Sequence, residues 1–394
     1  MKTFRPFPFV ARGFSLIELI IAMAISMILL AALSGIFAQS ITTREKIDRE
    51  GQKIETARYS LDTLAEDIRL AGYYGNYAPP FTGASPADWK YVDPCSTTGG
   101  NPLPGWNATT SPVQVPFPIF GYEAHDTGTL PTALTGCLDN YRTGTDVFVI
   151  RRANTTAVTA GGTGYVAGEA YVQVSSCPDG SVDTRPFHAM ATSTSSDFDL
   201  HVLGCTSTTP GPVATVRKLM TRIYFIADCD DCVNDLDANP ATPGDGMPTL
   251  KMVELAIPSS GGTTLRMAEN LRTIAPGVEN MHIEYGIDTA GGADGDGSID
   301  AWVVSNENPR QTGATGDVVT GMRLDASTEN RWEDVMAVKL FLVTRDLKTT
   351  TGWTDTKSFV MGSQTVAAAG DAYRRRLTST IVKLVNMSGR RETP

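Results

Sequence analysis

With 394 residues the chain exceeds one typical domain and can bury a sizeable core. Its formal net charge is −10, which argues against a nucleic-acid-binding surface, because a phosphate backbone demands clustered Lys and Arg. The one basic cluster, Arg374-Arg375-Arg376 with Arg390-Arg391, reads as solvated strand and tail residues.

A short basic leader comes first, with Lys2, Arg5 and Arg12 and no acidic residue. An uncharged apolar run of 19 residues, Leu19 to Phe37, follows and just reaches the ~20 needed to span a bilayer. The basic side of such a segment stays in the cytoplasm, so the chain beyond about residue 40 is expected to face the periplasm or the exterior. Within this segment stands one carboxylate, Glu18. Burying a charge in lipid costs roughly 2.5–3.5 kcal/mol or more, so an intramembrane Glu is expected to be functional. An ordinary secretory signal is cut after its apolar core. Here the processing signal precedes that core. Cleavage after Gly13 would leave Phe14 as the first residue and Glu18 as the fifth, and the mature chain would carry −13 before its termini are counted.

From Ser40 the pattern becomes amphipathic. Ile41, Ile47, Ile54, Ala57, Leu61, Leu64, Ala65 and Ile68 trace one helix face, while Arg44, Glu45, Lys46, Asp48, Arg49 and Glu50 fill the rest. No Pro interrupts the stretch from Phe14 to Ala71, and Gly72 supplies a stop. One continuous helix is expected, with a hinge at Gly35 or Gly51 as the alternative; Gly costs a helix only ~1 kcal/mol. The reading divides the chain into a leader (1–13), a transmembrane half-helix (14–38), an amphipathic half (39–72) and a β-rich exported domain (73–394).

Residues 73–135 are rich in Pro, Gly, Thr and aromatics and read as loops with at most short strands. Strands are predicted at 146–151, 170–174, 199–203, 222–226, 251–257, 279–285, 301–304, 335–343 and 379–385, where Val, Ile and Tyr lie between Gly, Pro and Asp. Strands without intervening helical patterns imply an α+β fold, with antiparallel sheet packed on the amphipathic half of the helix.

All six cysteines, 95, 137, 177, 205, 229 and 232, fall in the exported part, where an even count reads as disulfides. Cys229-Asp230-Asp231-Cys232 could be a redox pair, half a zinc site or a small disulfide ring. Two Asp would raise the thiol pKa and no further ligands lie nearby, so the ring is preferred. The other four permit three connectivities, of which Cys95–Cys137 with Cys177–Cys205 is the sequence-local one. Catalysis finds little support: His125, His188, His201 and His282 are dispersed, and no zinc, P-loop or nucleophile-elbow motif occurs. The loop from Asp288 to Asp300 sets Asp294, Asp296, Ser298 and Asp300 at alternating positions among Gly, a pattern suited to calcium or to a plain turn. The loop from Asp230 to Gly246, with Asp235, Asp237, Asn239 and Asp245, is a weaker candidate for calcium.

The N-terminal string G-F-S-L-I-E-L-I-I-A-M resembles the class III signal of type IV prepilins and type II secretion pseudopilins. That resemblance implies cleavage after Gly13 by a membrane-embedded prepilin peptidase, methylation of Phe14, and pairing of Glu18 with the amino terminus of a neighbouring subunit. Internal strings narrow it: Glu66-Asp67-Ile68-Arg69-Leu70-Ala71-Gly72-Tyr73-Tyr74-Gly75; Pro243-Gly244-Asp245-Gly246-Met247-Pro248-Thr249-Leu250; Val278-Glu279-Asn280-Met281-His282-Ile283-Glu284-Tyr285; and Tyr373-Arg374-Arg375-Arg376-Leu377-Thr378. Together they resemble the PilW family of type IV minor pilins. The resemblance implies a structural, non-enzymatic subunit of the inner membrane that primes pilus assembly. Its implied partners are the other minor pilins, the major pilin and a PilY-type tip adhesin. A J-type minor pseudopilin is the competing reading, and a DNA-binding competence pilin is disfavoured by the acidic balance.

Overall fold

The computed structural model describes residues 13, 15–77, 88–95, 103, 105–123, 134, 138, 140–158, 165, 169–191, 198–232, 244–254, 271–288, 297–305, 318–319, 322–323 and 331–388. It divides into two compact units, one ending at Gln52 and the other beginning at Lys53. Helix α1 runs unbroken from Leu16 to Leu70 through Gly35 and Gly51, so neither glycine hinges it. It stops where the sequence predicts: Gly72 takes a φ of +72°, a conformation open to Gly without a Cβ penalty, and the Tyr73 N–H donates back to the Leu70 carbonyl at 3.0 Å.

In the first unit, the apolar side chains of α1 from Leu16 to Phe37 are exposed. In the second, burial begins at Lys53 and follows Ala57, Ser60, Leu64 and Ile68, steps of three and four that keep one face turned inward. Ile41, Ile47 and Ile54, predicted on that face, are exposed.

Seventeen strands follow among the described residues. The first nine are β1 (Asp88–Lys90), β2 (Gln114–Pro116), β3 (Ile119–Tyr122), β4 (Val147–Val158), β5 (Ala170–Val174), β6 (Phe187–Ala191), β7 (Val216–Ala227), β8 (Thr249–Glu254) and β9 (Leu271–Pro276). Apart from the parallel β1–β2 pair, they build one antiparallel sheet around β7. Strand β4 runs along one side of β7, while the other side pairs with β5 in its first half and with β8 in its second. The remaining strands are β10 (Val278–Ile287), β11 (Ala301–Val303), β12 (Val318–Val319), β13 (Met322–Arg323), β14 (Val335–Arg345), β15 (Phe359–Met361), β16 (Gln364–Val366) and β17 (Arg375–Lys383), before a short helix α2 (Val385–Ser388). A second antiparallel sheet has the order β11-β10-β14-β17.

Leu64, Ala65 and Ile68 of α1 meet both sheets in one core with Phe148, Tyr224, Ile226, Ile283, Leu340 and Val382. Each such side chain contributes about 1.5–3 kcal/mol by leaving water. Strand β10 shows how its sequence chooses its faces. Met281, Ile283 and Tyr285 alternate into this core, which leaves His282 and Glu284 on the opposite face, under the β15–β16 hairpin.

The predicted strands at 170–174 and 301–304 match within a residue, and those at 146–151 and 222–226 prove to be the starts or ends of twelve-residue strands. The expected strand at 199–203 is an isolated bridge, His201 with Val213. Its backbone goes elsewhere: the His201 N–H donates to Asp183 at 2.7 Å, and the Leu200 N–H to the Gln173 side chain at 2.9 Å.

Candidate functional site

The N-terminal motif occupies the start of α1. Gly13 is exposed, and Phe14 lies outside the described residues. Ser15 stands at the cap position, and the Glu18 carboxylate accepts its backbone N–H at 3.0 Å. This is the return half of a capping box, with the Glu three residues past the cap and its charge at the positive end of the helix dipole. The Ser-x-x-Glu spacing is a sequence signature of a helix start and gives the carboxylate a second role beside its charge in lipid. The carboxylate is therefore held at the very end of the segment, one residue from the amino group that cleavage after Gly13 would create.

At the other end of α1, Asp67 points from the buried stripe into the first sheet. It accepts from Arg152 Nε of β4 at 2.9 Å and from Arg222 Nη1 of β7 at 2.8 and 3.0 Å, and Tyr224 donates its hydroxyl to the same carboxylate. Glu254 holds Arg222 Nε at 2.8 Å and Lys218 Nζ at 2.9 Å, and Lys218 also meets Glu169. Three cations thus face three carboxylates in a mostly buried cluster. Burial alone would raise the Asp67 pKa; Arg222, Arg152 and the Tyr224 hydroxyl outweigh it and hold the carboxyl below its usual range. A carboxylate between Leu64 and Ile68 on an apolar helix face was the available signal for this site, but its partners lie 85 and 155 residues away.

Further contacts fix the second sheet. Lys53 pairs with Asp346 at 3.1 Å, with both side chains buried. Arg375, at the start of β17, binds Glu279, Asp355 at 2.9 Å and Asp371 at 2.6 Å, so it belongs to a buried ion network and not to a solvated basic patch as its sequence predicts.

Asp146, His282 and Ser363 line up in the order of a nucleophile triad, with His282 Nδ1 2.8 Å from Asp146 Oδ2 and Nε2 3.3 Å from Ser363 Oγ. The surroundings oppose acyl transfer. The Ser363 N–H, the nearest donor for an oxyanion, is spent on Glu284 Oε1 at 2.7 Å, which sets a negative charge where another would develop. Gly362 permits that approach: with φ +64°, a Cβ there would lie 2.0 Å from the same oxygen. The cluster is a clasp between the hairpin and β10.

It carries a pH signature. Burial lowers the His282 pKa, but the hydrogen bond and charge of Asp146, with Glu123 and Glu284, reverse this and raise it above 6.5. A raised folded-state pKa means that the folded chain holds the proton longer. Its contribution is complete below pH 6.5 and is lost as pH rises through the folded-state value. Melting temperatures from pH 5.5 to 9 should therefore fall more steeply for the natural chain than for His282→Gln. Parallel slopes would assign no such role to His282.

Cys177 pairs with Cys205 and Cys229 with Cys232, with Cα separations of 5.5 and 5.2 Å. Cys95 is disulfide-bonded, and Cys137 lies outside the described residues. The 28-residue Cys177–Cys205 separation corresponds to roughly 3–4 kcal/mol in the chain-entropy model, about twice the value for the small ring. In the candidate calcium loop, Asp294 and Asp296 lie outside the described residues; Asp288 is buried and accepts the Gly297 N–H at 2.9 Å. Among the described residues, no group of three or more His, Cys, Asp or Glu stands close enough to hold a metal.

A long apolar N-terminal helix, a junction preceding its apolar core and antiparallel sheets behind it define a pilin-like α+β protein. Residues 10–34 match the prokaryotic N-terminal methylation motif, and residues 223–386, from the second half of β7 to α2, match the family described as type IV pilus-assembly protein W. Over residues 223–386 the chain is similar to the PilW family, and at its N-terminus it carries a prepilin-type signal. No curated protein and no solved structure matches it. It is a type IV pilus-related minor pilin, anchored in the membrane by a single pass. The likeness to that family implies a structural protein that interacts with other pilus components.

Proposed function

We propose that this chain primes type IV pilus polymerisation together with other minor pilins. It waits in the inner membrane with its sheet domain in the periplasm, then takes a place at or near the pilus tip beside a PilY-type adhesin, ahead of the major pilin. The observation that carries this reading is the union, in one chain, of an N-terminal methylation motif and a PilW region. Bulk supports a minor role, since a 394-residue subunit would crowd a uniform fibre.

The chemistry centres on Glu18. A carboxylate in lipid is costly alone and tolerable when neutralised, and the free amino group of a staggered neighbour is a partner of matching charge. Until that partner arrives, the capping bond to the Ser15 N–H holds the carboxylate in place. Glu18→Ala makes the segment more apolar, so membrane retention should be unchanged, while co-purification with other minor pilins should fall by roughly tenfold or more. Normal piliation and normal co-purification in that variant would defeat the charge-pairing role.

A further inference from the structure

Lys251 stands on β8 opposite Phe225 of β7 and Thr273 of β9, and it is only 1% exposed. Its ammonium reaches the small disulfide ring, where Nζ donates to Cys232 Sγ at 3.4 Å. An ammonium beside a sulfur favours the thiolate over the thiol. A bridge whose reduced form is stabilised in this way is the easier one to reduce.

Several negative groups oppose a thiolate here. The Asp245 carboxylate accepts the N–H groups of Asp230 at 2.9 Å and Met247 at 3.1 Å. Burial would raise its pKa, but those bonds and the Lys251 charge hold it below its usual range, so the ammonium serves both groups. Asp230 accepts the Thr273 hydroxyl at 3.3 Å, and Asp231 is exposed, where water screens it. The Cys229 carbonyl oxygen, 3.2 Å from Cys232 Sγ, carries only a partial charge against the whole charge of Lys251.

The other described bridge, Cys177–Cys205, offers a contrast. Cys177 Sγ stands 3.5 Å from the Asp179 carbonyl oxygen, a neighbour that disfavours a thiolate. Cys177 is half-buried, whereas Cys229 and Cys232 are 5% and 7% exposed. Access and electrostatics therefore rank the two bridges in opposite orders.

We propose that Cys229–Cys232 is a thiol–disulfide exchange site that accepts two electrons from a dithiol, with Cys229 attacked and Cys232 leaving toward Lys251. A thiolate of the dithiol bonds to Cys229 Sγ, the Cys229–Cys232 bond breaks, and its electron pair stays on Cys232. The second thiol of the dithiol loses its proton to water and attacks the mixed disulfide. The dithiol departs oxidised, as a cyclic disulfide, and the Cys229 thiolate takes a proton from water. The two Asp that argue in sequence against a redox pair are thus offset by a cation 19 residues away. This site stands whether or not the chain primes a pilus.

The test equilibrates the full-length chain in detergent with glutathione and dithiothreitol buffers of stepped potential. Alkylation and peptide mass spectrometry then report each bridge, and a melting curve checks that the fold is kept. Cys229–Cys232 should be half-reduced at a potential at least 30 mV less negative than Cys177–Cys205, a tenfold difference in equilibrium constant for a two-electron couple. Lys251→Met should shift that constant at least tenfold toward the closed bridge and leave Cys177–Cys205 unchanged. If Lys251→Met fails to fold, the order of opening in the natural chain decides. Opening of Cys177–Cys205 first, opening of both bridges only as the fold melts, or an unchanged potential in folded Lys251→Met overturns the proposal.

Discussion

Replacing Asp67 by Asn is expected to lower stability by about 3–5 kcal/mol, the usual cost of leaving buried charge uncompensated. The substitution is nearly isosteric, so packing around Leu64 and Ile68 is preserved and the loss reports on charge. Without the carboxylate, the Arg152 and Arg222 guanidiniums face each other across a site screened from water. Arg222 keeps Glu254, but Arg152 loses its carboxylate. Thermal unfolding of the detergent-solubilised chain measures the effect, on the order of 10 °C for a domain of this size. The Asp67 pKa lies below its ordinary value, so this stabilisation is present above about pH 4 and disappears as pH falls through the folded-state value. Asp67→Leu combined with Arg152→Leu should cost less than Asp67→Asn, because apolar groups of similar volume remove the desolvation penalty along with the attraction while Arg222 keeps Glu254. A change below ~1 kcal/mol for Asp67→Asn would show that solvent screens the cluster.

The second large effect is expected at the processing junction. Gly13→Leu should leave an unprocessed chain that retains Lys2, Arg5 and Arg12, read directly as the intact mass by mass spectrometry. Gly13 is exposed, and a Cβ built on it meets no atom within 4 Å, so the substitution does not strain the folded chain. Any defect then belongs to recognition by the peptidase. The consequence reaches Glu18. Without cleavage no amino group forms at Phe14, so the proposed inter-subunit charge pair loses its cationic half while Glu18 stays in place. A natural mature chain beginning after residue 31 or 38, as a conventional signal peptidase would leave it, would sink the prepilin reading of this junction.

Local chemistry explains which features could be read in advance. The apolar run, the lone Glu18 and the junction at Gly13 depend on residues within one helical segment, where hydropathy and spacing suffice. The end of α1 at Gly72 was equally legible, because a positive φ is a property of one backbone position. Most strands of the second sheet were visible for a related reason: Met281, Ile283 and Tyr285, and likewise Val338, Leu340 and Leu342, alternate against a core that covers one face. PilW-like strings in the same region carry the family resemblance in the sequence itself.

Long-range pairing decided the rest. Asp67, Arg152, Arg222 and Glu254 come from four elements, and nothing in the spacing of one element announces a partner 155 residues away. The same reason hid the ion network of Arg375, which read as a solvated basic run until Glu279, Asp355 and Asp371 closed on it. Strand 199–203 failed because side chains of Asp183 and Gln173 took the backbone groups that a ladder needs. The extent of the buried helix face was likewise a tertiary matter. Periodicity carries the apolar stripe back to Ile41, but a side chain is buried only where a neighbouring element covers it, and here that begins at Lys53. Sequence alone determined the membrane segment, its processing signal and the helix that carries them, since each follows from contacts along one stretch of chain. Only the tertiary structure decided which charges are buried and where the helix meets its core, because those depend on what the fold brings alongside.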